Sequence, residues 1–202
     1  MSRSHIRGYR LVVASLCAAS LLALPSRFAC GQQAAPSASD RLPSDIAPRG
    51  QRTPIRQIKY GDWQKFCFKA PGSDEVCRTT ISGNFDTGQL AVRADLIERQ
   101  DKGNARLQLF LPVGMYLRSG VKLSIDQGET HQLPYVWCLT NICIAADVAD
   151  PVLIQQMVGG QQLKLEVVDS NLLSVSTSLP LNRFGSVRSG AASATFRQDV
   201  DE

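Results

Sequence analysis

Histidine is almost missing from this chain of 202 residues, which holds only His5 and His131. Ser-His-Asp and Cys-His catalysis would therefore have to rest on His131 alone. Other signatures are missing too: there is no G-x-S-x-G, H-E-x-x-H, Walker loop or dinucleotide fingerprint. The apolar run "LVVASLCAASLLAL" (11–24) is shorter than the about 20 residues of a membrane span. Charge of one sign is also lacking in the body of the chain. Four of the 22 Lys and Arg precede residue 32 and none of the 18 acids does, leaving 18 cations against 18 anions. A nucleic-acid binder shows a net basic domain with a clustered basic face, so nucleic acid is not an expected partner.

What is present begins with an export signal. Arg3, Arg7 and Arg10 precede the apolar run, the layout of a secretory leader. Ala29 and Gly31 form a small-x-small pattern, which makes residues 1–31 the signal peptide. Cys30 offers a second reading, acylation as the first residue of a lipoprotein, although Arg27 and Phe28 stand where small or aliphatic residues are usual. Only in that case is a membrane an expected partner. Residues 32–58 carry four prolines and little apolar content, and read as a disordered linker. The folded domain is expected over 59–188, and "SGAASATFRQDVDE" (189–202) reads as a disordered acidic tail.

Two of six cysteines, Cys17 and Cys30, fall within the leader. The other four, Cys67, Cys77, Cys138 and Cys143, form an even set in an exported chain and predict two disulfides. "CFKAPGSDEVC" has a Pro-Gly turn at its centre, and "CLTNIC" leaves a short loop between strand ends. Both spacings suit hairpin staples, Cys67–Cys77 and Cys138–Cys143, because cross-strand neighbours lie within reach of an S–S bond. They are too wide for a zinc knuckle or a C-x-x-C redox pair. No metal and no cofactor is expected.

The dominant period is two. Leu107, Leu109 and Leu111 share one face of "ARLQLFLP", and Val121, Leu123 and Ile125 one face of "GVKLSID". Leu163, Leu165 and Val167 repeat the pattern, as do Leu173, Val175, Thr177 and Leu179. "DPVLIQQMVGG" departs from it, with Asp150 as helix cap, Pro151 at the first helical position and glycines as a stop. The fold class is therefore all-β: an antiparallel β-sandwich or flattened barrel of about 8–10 short strands, with one short helix near 150–158. Alternation also puts Tyr135 and Trp137 on one face of "LPYVWC". With His131 they are candidate binding residues, although such a pair more often packs over a disulfide or a facing sheet.

Several stretches resemble the invasion-associated locus B family of bacterial proteins. They are Gly61-Asp62-Trp63 followed by Cys67 and Cys77; Leu111-Pro112 and Gly114, leading through Gly120 and Val121 to Asp126; Cys138 with Cys143; and the closing "SLPLNRFGSV". The chain departs at Ile142, where the family usually carries Gly, and at Arg183-Phe184, where it often has Gly-Phe. The resemblance implies an exported all-β protein of a Gram-negative cell, some relatives being linked to host-cell entry, and supplies no catalytic residues. The expected function is a non-enzymatic, disulfide-stapled interaction protein of the periplasm, outer membrane or cell surface, whose partner is a protein of the envelope or of a host cell. The alternative is a small periplasmic enzyme or carbohydrate-binding module using Tyr135, Trp137 and His131.

Overall fold

The computed structural model describes residues 48–51, 57–99 and 104–197. The signal peptide, Cys30 and most of the linker lie outside the described residues. Strands run in chain order as β1 (Gly50–Gln51), β2 (Ile58–Tyr60), β3 (Gln64–Lys69), β4 (Val76–Phe85), β5 (Leu90–Arg99), β6 (Ala105–Pro112), β7 (Val121–Ile125), β8 (Thr130–Leu133), β9 (Tyr135–Cys138) and β10 (Ile142–Ala149). Helix α1 (Pro151–Gly159) follows, then β11 (Gln162–Val168), β12 (Leu173–Pro180), helix α2 (Phe184–Ser189) and β13 (Ala194–Arg197).

These strands form two separate sheets, so the sandwich describes the fold and the flattened barrel does not. The smaller sheet has the order β1-β12-β11-β7-β8. The larger runs β13-β3-β4-β5-β6-β10-β9, with β2 also on β4. The alternating residues meet between them: Leu107, Leu109 and Leu111 from one sheet, and Val121, Leu123, Leu163 and Leu165 from the other, are all buried. Each such side chain contributes about 1.5–3 kcal/mol by leaving water. The chain crosses from the smaller sheet to the larger at Pro134, between β8 and β9.

The ends of the sandwich are closed by side chains that arrive from far along the sequence. Between β2 and β3, which both pair with β4, the chain breaks at Gly61-Asp62-Trp63, and Trp63 turns into the core. Its Nε1–H donates to the Pro180 carbonyl (2.9 Å), and its ring meets Phe184 edge to face at 4.8 Å. Helix α1 forms as its caps dictate: the Asp150 carboxylate accepts from the Leu153 N–H, Pro151 opens the first turn, and Leu153, Ile154 and Met157 face inward.

Four expectations need correction. Thirteen strands are present among the described residues, and β4 and β5 reach ten residues each. A second helix, α2, exists because Phe184 is buried against Trp63 and Lys65 Nζ donates to the Arg188 and Gly190 carbonyls at its end. The tail is not structureless, since Ala194–Arg197 pairs in parallel with β3 and Phe196 stacks on Phe68. Nor is the linker structureless to residue 58: Gly50 and Gln51 pair with Leu173 and Ser174, and β2 begins at Ile58. Short edge strands such as these take their order from a neighbour's unpaired backbone and need no amphipathic pattern of their own.

Candidate functional site: the outward face of the larger sheet

Both cysteine pairs are hairpin disulfides. Cys67 lies opposite Cys77 on β3 and β4, and Cys138 opposite Cys143 on β9 and β10, with Cα atoms 4.1 and 4.0 Å apart. Among the described residues, the grouping with metal-ligand chemistry, Cys67, Glu75 and Cys77, has both sulfurs spent in such a bond.

The three candidate binding residues are not brought to one place. Tyr135 opposes the buried Ala145, while Trp137 opposes Ile144, and the register shifts between these pairs. That β-bulge leaves Val136 as the extra residue and reverses the alternation beyond it. Tyr135 therefore packs on the core with its hydroxyl buried and without a hydrogen-bond partner. Burial also pushes its pKa up. Trp137 turns outward and is 66% exposed. The expected shared face is thus corrected, and packing over the disulfide or the facing sheet does not describe Trp137. His131 sits opposite Leu123 on the inward side of β8, and its Nε2 is likewise without a partner.

The acids are dispersed as well. Asp62 and Asp147 are exposed, and Asp126 accepts from the Gln161 and Gln162 N–H groups to fix the turn before β11. Two hollows among the described residues bear on this question. One is a shallow polar basin of about 590 Å³ over Lys122, Lys164 and Glu166, and the other an apolar cavity of about 860 Å³ between the sheets beside Tyr60, Met115 and Val167. Neither is lined by Tyr135, Trp137 or His131.

Residues directly opposed across a ladder share a face, so the pairing registers write out each outward surface. On the smaller sheet the outward rows read Gln132, Lys122, Glu166, Ser176 and Thr130, Ser124, Lys164, Ser178. That is an ordinary solvated surface, with one loose Lys122–Glu166 ion pair at 3.8 Å.

The larger sheet is different. One row reads Trp137, Ile144, Phe110, Arg93 and Ser82. The next reads Ala146, Gln108, Asp95, Thr80 and Gln64. A third reads Val148, Arg106, Ile97, Arg78, Phe66 and Ala194, and a fourth Arg99, Val76, Phe68 and Phe196. Five aromatic rings therefore stand outward, and Phe68 and Phe196 are 41% and 50% exposed.

Asp95 organises the centre of this face. It is 1% exposed, accepts a short hydrogen bond from the Thr80 hydroxyl, and is ion-paired with Arg93 (3.2 Å) and Arg78 (3.9 Å). Burial pushes its carboxyl above the ordinary range, and Thr80 and the two arginines only partly pull it back. Each arginine is also laid over phenyl rings, Arg93 on Phe110 at 3.7 Å and Arg78 between Phe66 (5.9 Å) and Phe68 (5.6 Å). The arrangement lays two guanidinium groups on an apolar surface. Sequence reasoning missed it because Asp95 and Arg78 meet across a ladder. The available signal was the alternation of Phe66 and Phe68 about the inward Cys67, with Phe110 on the outward side of β6.

Comparison with known proteins agrees with this architecture. The family described as Invasion associated locus B (IalB) protein matches residues 63–191. The crystal structure of invasion associated protein B from Bartonella henselae is similar with a TM-score of 0.57 at 22% sequence identity, covering 65% of this chain and 92% of that one. At that identity the likeness speaks for the fold. No protein with a curated description matches the chain.

Proposed function

The chain belongs to the invasion associated locus B family, and from that premise we propose that it is an exported, non-enzymatic interaction module of the cell envelope. The surface it presents to a protein partner is the outward face of its larger sheet. The observation that carries this reading is the contrast between two faces of one sandwich: serine, threonine, lysine and glutamate on one side, stacked aromatics and arginines on the other. Exposed aromatic side chains gathered with arginines on one face mark an interaction site. Two disulfides suit an oxidising compartment, and the signal-like leader supports export. The Bartonella protein is described as invasion associated; for this chain the corresponding proposal is a partner in its own envelope or on a host cell.

A photo-reactive residue placed at Trp137 or Phe68 in the producing cell tests the proposal. It should yield a discrete protein adduct from the envelope, while the same residue at Ser176, on the solvated face, should yield none. Adducts from Ser176 alone would overturn it.

A further inference from the structure

The charge pattern of that face names the chemistry of its partner, an inference that rests on the surface assigned above. Among the described residues of these rows the outward cations are Lys59, Arg78, Arg93, Arg99 and Arg106, while the outward acid, Asp95, lies buried beneath two of them. Beyond residue 31 the chain carries equal numbers of cations and anions, so this surplus is local. Arg93 is set between the Phe110 ring and Asp95, Arg78 lies more loosely, 3.9 Å from Asp95 and over Phe66 and Phe68, and about a third of each side chain stays open to solvent. A guanidinium held flat in this way is a preformed fork for a carboxylate, with its ordering entropy already spent. Apolar contact area flanks the forks at both ends, Trp137 on one edge strand and the Phe68–Phe196 stack on the other.

We propose that the face binds an acidic polypeptide segment, its carboxylates on Arg78, Arg93 and Arg106 and its apolar side chains on the flanking aromatics. A second copy of the chain fits poorly, because pairing this face with itself would set arginine against arginine. A planar anionic membrane fits poorly as well. Sheets twist on average by about 20–25° per strand, and six steps separate Trp137 on β9 from Phe196 on β13. At that average the two ends would face directions about 120–150° apart, too far for one plane to touch both. A flexible acidic chain can follow such a surface.

The test titrates the full mature chain, disulfides intact, with labelled poly-L-glutamate and with vesicles of equal parts phosphatidylcholine and phosphatidylglycerol. Poly-L-glutamate should bind, and binding should weaken as salt rises. Arg93→Gln should weaken it about tenfold. Because Arg93→Gln also uncovers Asp95 and so burdens folding, Arg106→Gln is the second variant: it touches no buried acid and should cost about threefold. Vesicle binding without poly-L-glutamate binding would assign the face to a membrane instead and overturn the proposal. So would binding to neither probe, or poly-L-glutamate binding untouched by both substitutions. If the probes fail while crosslinks at Trp137 and Phe68 form, the surface stands and only the acidic class falls; if both fail, the surface assignment falls with it.

Discussion

Arg93 lies over the ring of Phe110, its guanidinium carbon 3.7 Å from the ring centroid, while its Nε stands 3.2 Å from the buried carboxylate of Asp95. Three strands meet in this contact sequence, because Phe110 is on β6, Arg93 and Asp95 on β5, and the Thr80 hydroxyl that bonds Asp95 on β4. An exposed arginine on a strand normally samples many rotamers. This one is held between an aromatic plane and a buried acid.

Asp95 sets the pH response. Burial raises its folded pKa above the ordinary 3.8 despite the neighbouring cations. The ionised form is then the penalised one in the folded state, so this group's contribution is full below the ordinary value and is lost as pH rises through the raised one. The urea midpoint of the wild type relative to that of Asp95→Asn should therefore fall across that window. A difference that climbs or stays constant through the window would contradict the assignment.

Tyr135 carries a hydroxyl that burial isolates from any partner. An unsatisfied buried group costs about 1–3 kcal/mol, so Tyr135→Phe should raise unfolding free energy by about 1 kcal/mol. A measured loss of stability would mean that the hydroxyl is bonded after all.

Arg183, exposed at the start of α2, has φ 66°. Glycine takes such a left-handed backbone without strain, whereas arginine does not. Arg183→Gly should add about 0.5–1 kcal/mol, the strain released less the entropy that glycine gains in the unfolded chain. Arg183→Ala keeps the strain and should add nothing. Equal gains for both would place the effect in the arginine side chain.

Trp63 and Phe184 close one end of the core. Trp63→Ala should cost about 3–5 kcal/mol, and a double-mutant cycle with Phe184→Ala should return a coupling of about 1 kcal/mol. Thermal or denaturant unfolding measures both, and additivity would refute the edge-to-face contact as a source of stability.

Much of the sandwich was legible because its inward residues obey a strict period. Leu107, Leu109 and Leu111 could face only one way, Asp150-Pro151 announced α1, and the spacing of each cysteine pair matched a hairpin. The rest depended on partners distant in sequence. Nothing in "NRFGSVRS" has a helical period, and α2 exists because Phe184 meets Trp63. "ATFR" is too short to read, and is a strand because the β3 edge was unpaired and Phe68 offered a ring to stack on. At Tyr135 and Trp137 alternation failed outright, since a one-residue bulge leaves no mark in composition yet reverses a face. The arginine-aromatic surface was half visible, in Phe110 and in Phe66 and Phe68; its buried centre was not.

Whether the outward face of the larger sheet is covered in the envelope is the most direct measurement. Oxidative footprinting of Trp137 and Phe196, with acylation of Lys122 and Lys164 on the opposite face, can be compared between the purified chain and the intact envelope. Trp137 and Phe196 should be protected in the envelope, while both lysines should label equally in the two settings. Equal oxidation of Trp137 in both, or protection confined to the lysine face, would contradict the surface assignment.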